Sequence, residues 1–141
     1  MNDDTTTFPI YQGQPEKVMA TKDNSRDALG DTGATSNFVP VEAAGNPGDW
    51  KACRGAAIAA NNQSMPVQGA HVMQWQQLPP QTHKVLAGLN DTILSIPRLA
   101  DQGMCSVFLH DRWLVIDEST FRVNEYAHIM AQGYRENQPG G

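Results

Sequence analysis

The chain has 141 residues, enough for one domain with a substantial core, and a formal net charge of −5 from 10 Lys and Arg against 15 Asp and Glu. No run of basic residues alternates with aromatic ones, so we expect no nucleic acid as a partner of this segment. The N-terminal residues do not resemble a signal peptide and no apolar run is long enough to span a bilayer. We therefore expect a cytoplasmic protein with no membrane partner.

The cysteines and histidines show no pattern typical of a metal site. Cys53 and Cys105 are far apart in sequence, and neither has a second Cys or a His at the short spacing that zinc sites use. The four histidines are scattered, with no pair four residues apart. We expect free thiols in a reducing compartment, and neither a metal nor a cofactor.

The first half of the chain predicts an arm followed by β structure. Residues 1–26 are rich in Thr, Asp, Asn and Gln, which indicates a loosely ordered arm with one short strand at 17–20. From residue 27 to 118, short β segments alternate with turn residues, as in a small β barrel or sandwich. Residues 56–75 predict a hairpin that turns at Asn61-Asn62-Gln63, because Asn tolerates the left-handed backbone of a tight turn.

The second half predicts further strands and one helix. Residues 84–87 and 92–94 are expected to be strands. Ser95 ahead of Pro97, with Gly103 after the segment, is typical of a short helix over residues 97–102. Two apolar runs around residues 110–112 predict a second hairpin. Residues 119–141 are expected to add a C-terminal strand and a flexible tail.

The stretch Asp31-Thr32-Gly33-Ala34 has the form of the active-site signature of aspartic peptidases. Asp31 is the candidate reacting group, Gly33 permits a sharp turn beneath it, and the Thr32 hydroxyl can hydrogen-bond to the same loop of a second copy. The chemistry needs two carboxyls that share one proton. The alternative for the motif alone is an Asp-Thr-Gly turn on a surface loop.

The second carboxyl has to come from another chain. The only other Asp-Thr pair in this region, Asp91-Thr92, lacks the glycine, and a two-lobed monomer would need more than twice this length. The sequence therefore predicts a homodimer with the site on its two-fold axis.

Three stretches in order resemble the protease of copia-type LTR retrotransposons. These are "DTGATSNFVP", "AIAANNQSMPVQGAHV" and "TILSIPRLADQGMCSVFLHDRWLVI", which together span about residues 28–116. The resemblance implies a retropepsin-like aspartic protease domain at 27–118, between the arm at 1–26 and the segment at 119–141. It implies a small closed all-β barrel with one short helix, active as a homodimer on extended peptides of a retroelement polyprotein, in the cytoplasm or in virus-like particles.

The resemblance also assigns roles to individual residues. It makes Asp31 catalytic with Thr32 and Gly33 as its supporting loop, and it makes residues 60–63 the tip of a flap that closes over substrate. The residues that it places against substrate are Ala34, Thr35, Ser36, Ala60, Asn61, Asn62, Gln63 and Ile93.

Four features depart from the retroviral pattern. Gly30 replaces a larger apolar residue, which is expected to weaken the core under Asp31, and Ser95 stands where glycine is usual. The flap tip is polar instead of glycine-rich, and Thr35-Ser36 replaces an acidic residue, as in the copia group. A catalytically weak or inactive domain that dimerises or binds peptides, and an unrelated β domain with Asp31 in a surface turn, are the two alternatives.

Overall fold

The computed structural model describes residues 17–19, 27–59 and 62–135, and within these ranges it is mostly β with one short α-helix. The helix α1 is Ile96–Asp101, and short 3₁₀ turns lie at Val41–Ala43, Pro47–Asp49 and Glu118–Thr120. The strands are β1 (Lys17–Met19), β2 (Asp27–Asp31), β3 (Asn37–Pro40), β4 (Ala56–Ile58), β5 (Ser64–Met73), β6 (Gln81–Leu86), β7 (Thr92–Ser95), β8 (Met104–Leu109) and β9 (Arg112–Asp117).

Seven strands form one curled sheet in the order β1-β2-β7-β3-β6-β5-β4, and β8 pairs with β9 in a separate antiparallel hairpin. The expected all-β fold with one short helix is confirmed. The closed barrel is not, because among the described strands the pairing ends at β1 on one side and β4 on the other. The sheet curls without its hydrogen bonds closing a ring.

The strand β7 is inserted between β2 and β3, although β2 and β3 are neighbours in sequence. It runs parallel to β2, with Asp31 opposite Ser95, and antiparallel to β3, where Phe38 lies opposite Ile93. Residues 32–36 must therefore cross the end of β7 to join β2 to β3. This crossing places the Asp-Thr-Gly-Ala loop directly over Ser95.

Local signals predicted most of these elements correctly. The β4–β5 hairpin, the strand β7, the helix α1 and the β8–β9 hairpin lie where the sequence places them, and β6 begins at Gln81, three residues before the predicted start. The short strand expected at 17–20 is β1, and the rest of the arm at 1–26 lies outside the described residues. The C-terminal strand expected within 119–141 does not occur in 119–135, the part that is described.

Gly30 is a packing contact and not a gap in the core. A Cβ atom added at Gly30 would lie 2.8 Å from Cη2 of Trp113 and 3.1 Å from Cδ1 of Ile96. The expectation that Gly30 weakens the core under Asp31 is therefore wrong, because the Trp113 indole of β9 already fills this space. The contact joins the β8–β9 hairpin to the strand that ends at Asp31.

Candidate active site

Asp31 is the last residue of β2, and its carboxyl is buried. The residue is only 1% exposed. Its Oδ1 accepts a hydrogen bond from the Gly33 N–H at 2.8 Å. Its Oδ2 is buried and has no hydrogen-bond partner among the described residues. Burial raises the pKa of Asp31 above its usual 3.8, and hydrogen bonds from the backbone N–H groups of Gly33 and Ala34 oppose that rise. A site that favours the protonated form suits an acid that gives up a proton.

The loop has the hydrogen bond of an Asx turn, but it is not a surface turn. Thr32 and Gly33 are exposed, whereas Asp31, Ala34 and Ser36 are buried. A carboxyl in an ordinary surface turn would be solvated. The alternative of an unrelated surface turn therefore does not fit the burial of Asp31.

The residues predicted to contact substrate fall into two groups. Ala34 is fully buried in a core cluster with Phe38 and Ile93, and Ser36 is also buried, so neither reaches the surface of the single chain. Ile93 is buried as well. The other described residues of this set are partly or fully accessible: Thr35, Asn62 and Gln63.

The predicted flap is the turn between β4 and β5. The Asn62 N–H donates to the Ala59 carbonyl at 2.8 Å, and the Ala59 N–H donates to the Gln63 carbonyl at 3.0 Å. Asn62 has a φ of 65°, the left-handed conformation that asparagine tolerates better than most residues. Ala60 and Asn61, the first two residues of the predicted tip, lie outside the described residues.

A pocket of about 250 Å³ lies beneath this hairpin. Leu29 and Asp31 point to the same face of β2 because side chains alternate along a strand, so the pocket that Leu29 lines opens on the face that carries the carboxyl. The pocket brings together Ile93 and Gln63, both predicted from the resemblance. Its other lining residues are Leu29, Ala59, Met65, Ala87, Gly88, Leu89, Asn90 and Asp91.

Sequence reasoning missed Leu29, Met65 and Leu89 as pocket residues. Leu29 has a local signal, since it precedes Asp31 by two residues in a strand. Met65 and Leu89 have none, because the pocket forms only when the β5 strand and the turn after β6 meet. A larger groove of about 640 Å³ is lined by Trp75, Gln102 and Trp113 among others, and Asp31 and its loop are not part of it.

Within the described ranges, no cluster of three His, Cys, Asp or Glu residues could hold a metal ion. Cys53 and Cys105 are both partly buried free thiols.

No helix in the described part of the chain is long and apolar enough to cross a bilayer.

Comparison with protein-family models, curated proteins and solved structures finds no match to this chain. The resemblance to copia-type proteases therefore stays a prediction from the sequence motifs.

Proposed function

We propose that this chain is an aspartic endopeptidase that acts as a homodimer, with one Asp31 carboxyl from each subunit. The observation that carries the proposal is the buried Asp31 carboxyl, which has one unpartnered oxygen and lies next to the exposed Thr32-Gly33 turn. An unpartnered buried carboxylate oxygen is costly unless its charge is used or a partner satisfies it. A second Asp31 that shares a proton with the first would satisfy it.

The chemistry follows from two carboxyls that share one proton. The ionised carboxylate removes a proton from a water molecule, which attacks the carbonyl carbon of the peptide bond. The protonated carboxyl donates its proton to the carbonyl oxygen as the tetrahedral intermediate forms. The carboxyl that took the proton from water then gives it to the amide nitrogen as the C–N bond breaks, and the other carboxylate takes back a hydroxyl proton from the intermediate, which restores the singly protonated pair. Burial raises the pKa of Asp31, which favours a singly protonated pair in mild acid.

Among the described residues that line the pocket, the one carboxylate, Asp91, cannot take the place of the second Asp31. Asp91 lines the same pocket, but it precedes β7, whose first residue Thr92 lies opposite Ala28. It is therefore four residues along the strands from the level of Asp31, on the order of 13 Å at about 3.3 Å per residue. Two carboxyls that share a proton must be much closer than this.

The C-terminal part of the chain offers a surface for the second copy. Phe108 and Leu109 of the β8–β9 hairpin are exposed, and Ser106 Oγ and Trp113 Nε1 of the same hairpin are buried without hydrogen-bond partners in the described residues. A two-stranded hairpin is only marginally stable alone. Trp113 packs on Gly30, so this hairpin is joined to the strand that ends at Asp31, on the face of β2 opposite to the Asp31 carboxyl.

The substrate that fits the site is an extended peptide. The pocket under the β4–β5 hairpin is lined mainly by apolar side chains, and a closing hairpin holds an extended backbone by β-type hydrogen bonds. In the setting that the sequence motifs indicate, the substrate is the retroelement polyprotein that contains this domain, processed inside the cell or within virus-like particles.

Hydrolysis of a fluorescently labelled, unfolded protein near pH 5 tests the proposal. Wild type is expected to cleave it, Asp31→Asn to have no activity, and Asp49→Asn, which removes an exposed carboxylate elsewhere, to cleave at the wild-type rate. Equal rates for wild type and Asp31→Asn would refute the proposal.

A second candidate is a noncatalytic dimerisation or peptide-binding domain, because Asp31 is only 1% exposed in the single chain and its carboxyl has to become accessible before a substrate or a partner carboxyl can meet it. The same assay separates the two candidates. A dimer that binds labelled peptides without cleaving them, and that does not bind an inhibitor with a hydroxyl in place of the scissile carbonyl, would support the noncatalytic function.

A further inference from the structure

Side-chain hydrogen bonds from Ser95 and Asn37 hold the loop that follows Asp31 against the end of β7. The Ser95 hydroxyl donates to the Ala34 carbonyl and accepts from the Arg98 N–H at 3.2 Å. The Ser95 N–H donates to Asn37 Oδ1 at 2.8 Å. Ser95 and Asn37 are both buried, so these bonds are shielded from water.

The strand order explains why side chains are needed here. Residues 32–36 cross the end of β7, and in the described part of the chain β3 and β7 pair only where Phe38 lies opposite Ile93. Beyond this point, on the side of β7 that faces β3, the Ser95 N–H and the Ala34 carbonyl bond to side chains. The Asn37 amide oxygen and the Ser95 hydroxyl take the places of the missing backbone groups.

Asn37 is in turn held by a second set of bonds. Its Nδ2 donates to the Thr82 carbonyl at 3.2 Å and lies 3.5 Å from Gln81 Oε1. The Gln81 side chain is buried and exchanges hydrogen bonds with the side chain of Gln102, at 2.9 and 3.2 Å. The bonds therefore run from the Asp31 loop through β7 and β3 to β6 and the end of α1.

We propose that Ser95 is a positioning residue that, oriented by Asn37, holds the Asp31 loop where the carboxyl of the second subunit meets it. The inference rests on the proposed function and goes beyond it, because it assigns a catalytic consequence to a residue that touches neither substrate nor the reacting atoms. Fixing Ala34 also fixes the two N–H groups that face the Asp31 carboxyl.

Threonine and valine at position 95 provide a matched pair of variants. Both carry one more methyl group on Cβ than serine does, and they differ only in the hydroxyl, which valine replaces with a second methyl and which donates to Ala34 and accepts from the Arg98 N–H. Ser95→Val is expected to lower kcat about tenfold below Ser95→Thr, with KM within about twofold, because valine loses both bonds of the hydroxyl, the one to the Ala34 carbonyl and the one from the Arg98 N–H. Ser95→Ala, which cannot overpack, is expected to show the same loss of kcat relative to wild type.

Amide exchange provides a readout that does not depend on activity. The Gly33 and Ala34 amides are expected to exchange about tenfold faster in Ser95→Val than in Ser95→Thr. The Ala70 amide, which donates to the Lys51 carbonyl far from the loop, should be unchanged. The acid limb of the kcat profile should also move to higher pH in Ser95→Val, because looser N–H groups stabilise the Asp31 carboxylate less.

The outcomes separate the inference from the proposed function. Equal kcat and equal exchange for Ser95→Thr and Ser95→Val, or wild-type values for Ser95→Ala, would overturn the positioning role while Asp31-dependent cleavage by wild type stood. Faster exchange in Ser95→Val combined with no Asp31-dependent cleavage by wild type would refute both the peptidase and a catalytic role for Ser95.

Discussion

The buried histidine of β6 should make the fold sensitive to acid. Nε2 of His83 accepts a hydrogen bond from the Trp75 indole at 3.0 Å, so the ring proton is on Nδ1, which faces the Phe38 carbonyl at 3.1 Å. Protonation would place a second N–H against the indole donor. Burial lowers the pKa of His83 from 6.5 to about 4; the bond to Phe38 opposes this, and the charge of His71 adds to it.

The size of the effect follows from this difference in pKa. Below pH 6.5 the unfolded chain binds a proton that the folded chain does not, so the free energy of unfolding falls as the pH falls from 6.5 through about 4. The stabilisation is complete above pH 6.5. The full difference corresponds to about 3 kcal/mol at ~1.4 kcal/mol per pH unit, of which about 2 kcal/mol is lost by pH 5.

Denaturant unfolding from pH 8 to pH 4.5 measures this loss. His83→Gln removes the titrating group, and His110→Gln removes an exposed histidine as a control. The other titrating groups are shared, so their contributions to the pH dependence cancel when the free energy of unfolding of a variant is subtracted from that of wild type at each pH. The advantage of wild type over His83→Gln is expected to shrink by about 2 kcal/mol between pH 7.5 and pH 5. Parallel curves for these two proteins would show that the reasoning about His83 is wrong.

Three further predictions concern the loop, its strand and the hairpin turn. Asp31→Asn should raise the free energy of unfolding at pH 7, because burial disfavours the ionised carboxyl and the amide carries no charge; stability no greater than wild type would contradict this. Gly30→Val should lower the free energy of unfolding by about 1–3 kcal/mol through its clash with Trp113, and unchanged unfolding and Trp fluorescence would argue against the contact. Asn62→Val should lower the free energy of unfolding by about 1–2 kcal/mol, because Asn62 has a left-handed backbone conformation that valine adopts poorly. Asn62→Gly should not lower it, and thermal unfolding of the two variants tests the difference.

Local signals in the sequence were enough to predict the hairpins and the helix. The Asn61-Asn62 turn and the Ser95, Pro97 and Gly103 signals depend on neighbouring residues and on intrinsic backbone preferences. The C-terminal strand expected within 119–141 does not occur in the described residues 119–135, where apolar side chains remain exposed, Tyr126 and Tyr134 among them. An apolar segment becomes a strand only when an edge is there to pair with it.

The features that shape the site are not local. The placement of β7 between β2 and β3 joins residues that are far apart in sequence, and no periodicity within either segment predicts it. The contact of Trp113 with Gly30 depends on the same arrangement, as does the bond from Ser95 to Ala34. From the sequence, Gly30 and Ser95 are only departures from the pattern of a known family. The reason for each residue type lies in contacts that only the structure shows, with Trp113 for Gly30 and with Ala34 for Ser95.

Mixing subunits tests most directly whether two Asp31 carboxyls form one site. Wild type and Asp31→Asn would be mixed at constant total concentration, above that at which the dimer dissociates, and allowed to exchange subunits before cleavage of the labelled protein is measured near pH 5. If each site needs both carboxyls, an equal mixture should retain about one quarter of the wild-type rate, because only that fraction of dimers has two wild-type subunits. A rate of about one half, proportional to the wild-type fraction, would mean that each chain acts alone and would contradict the shared site.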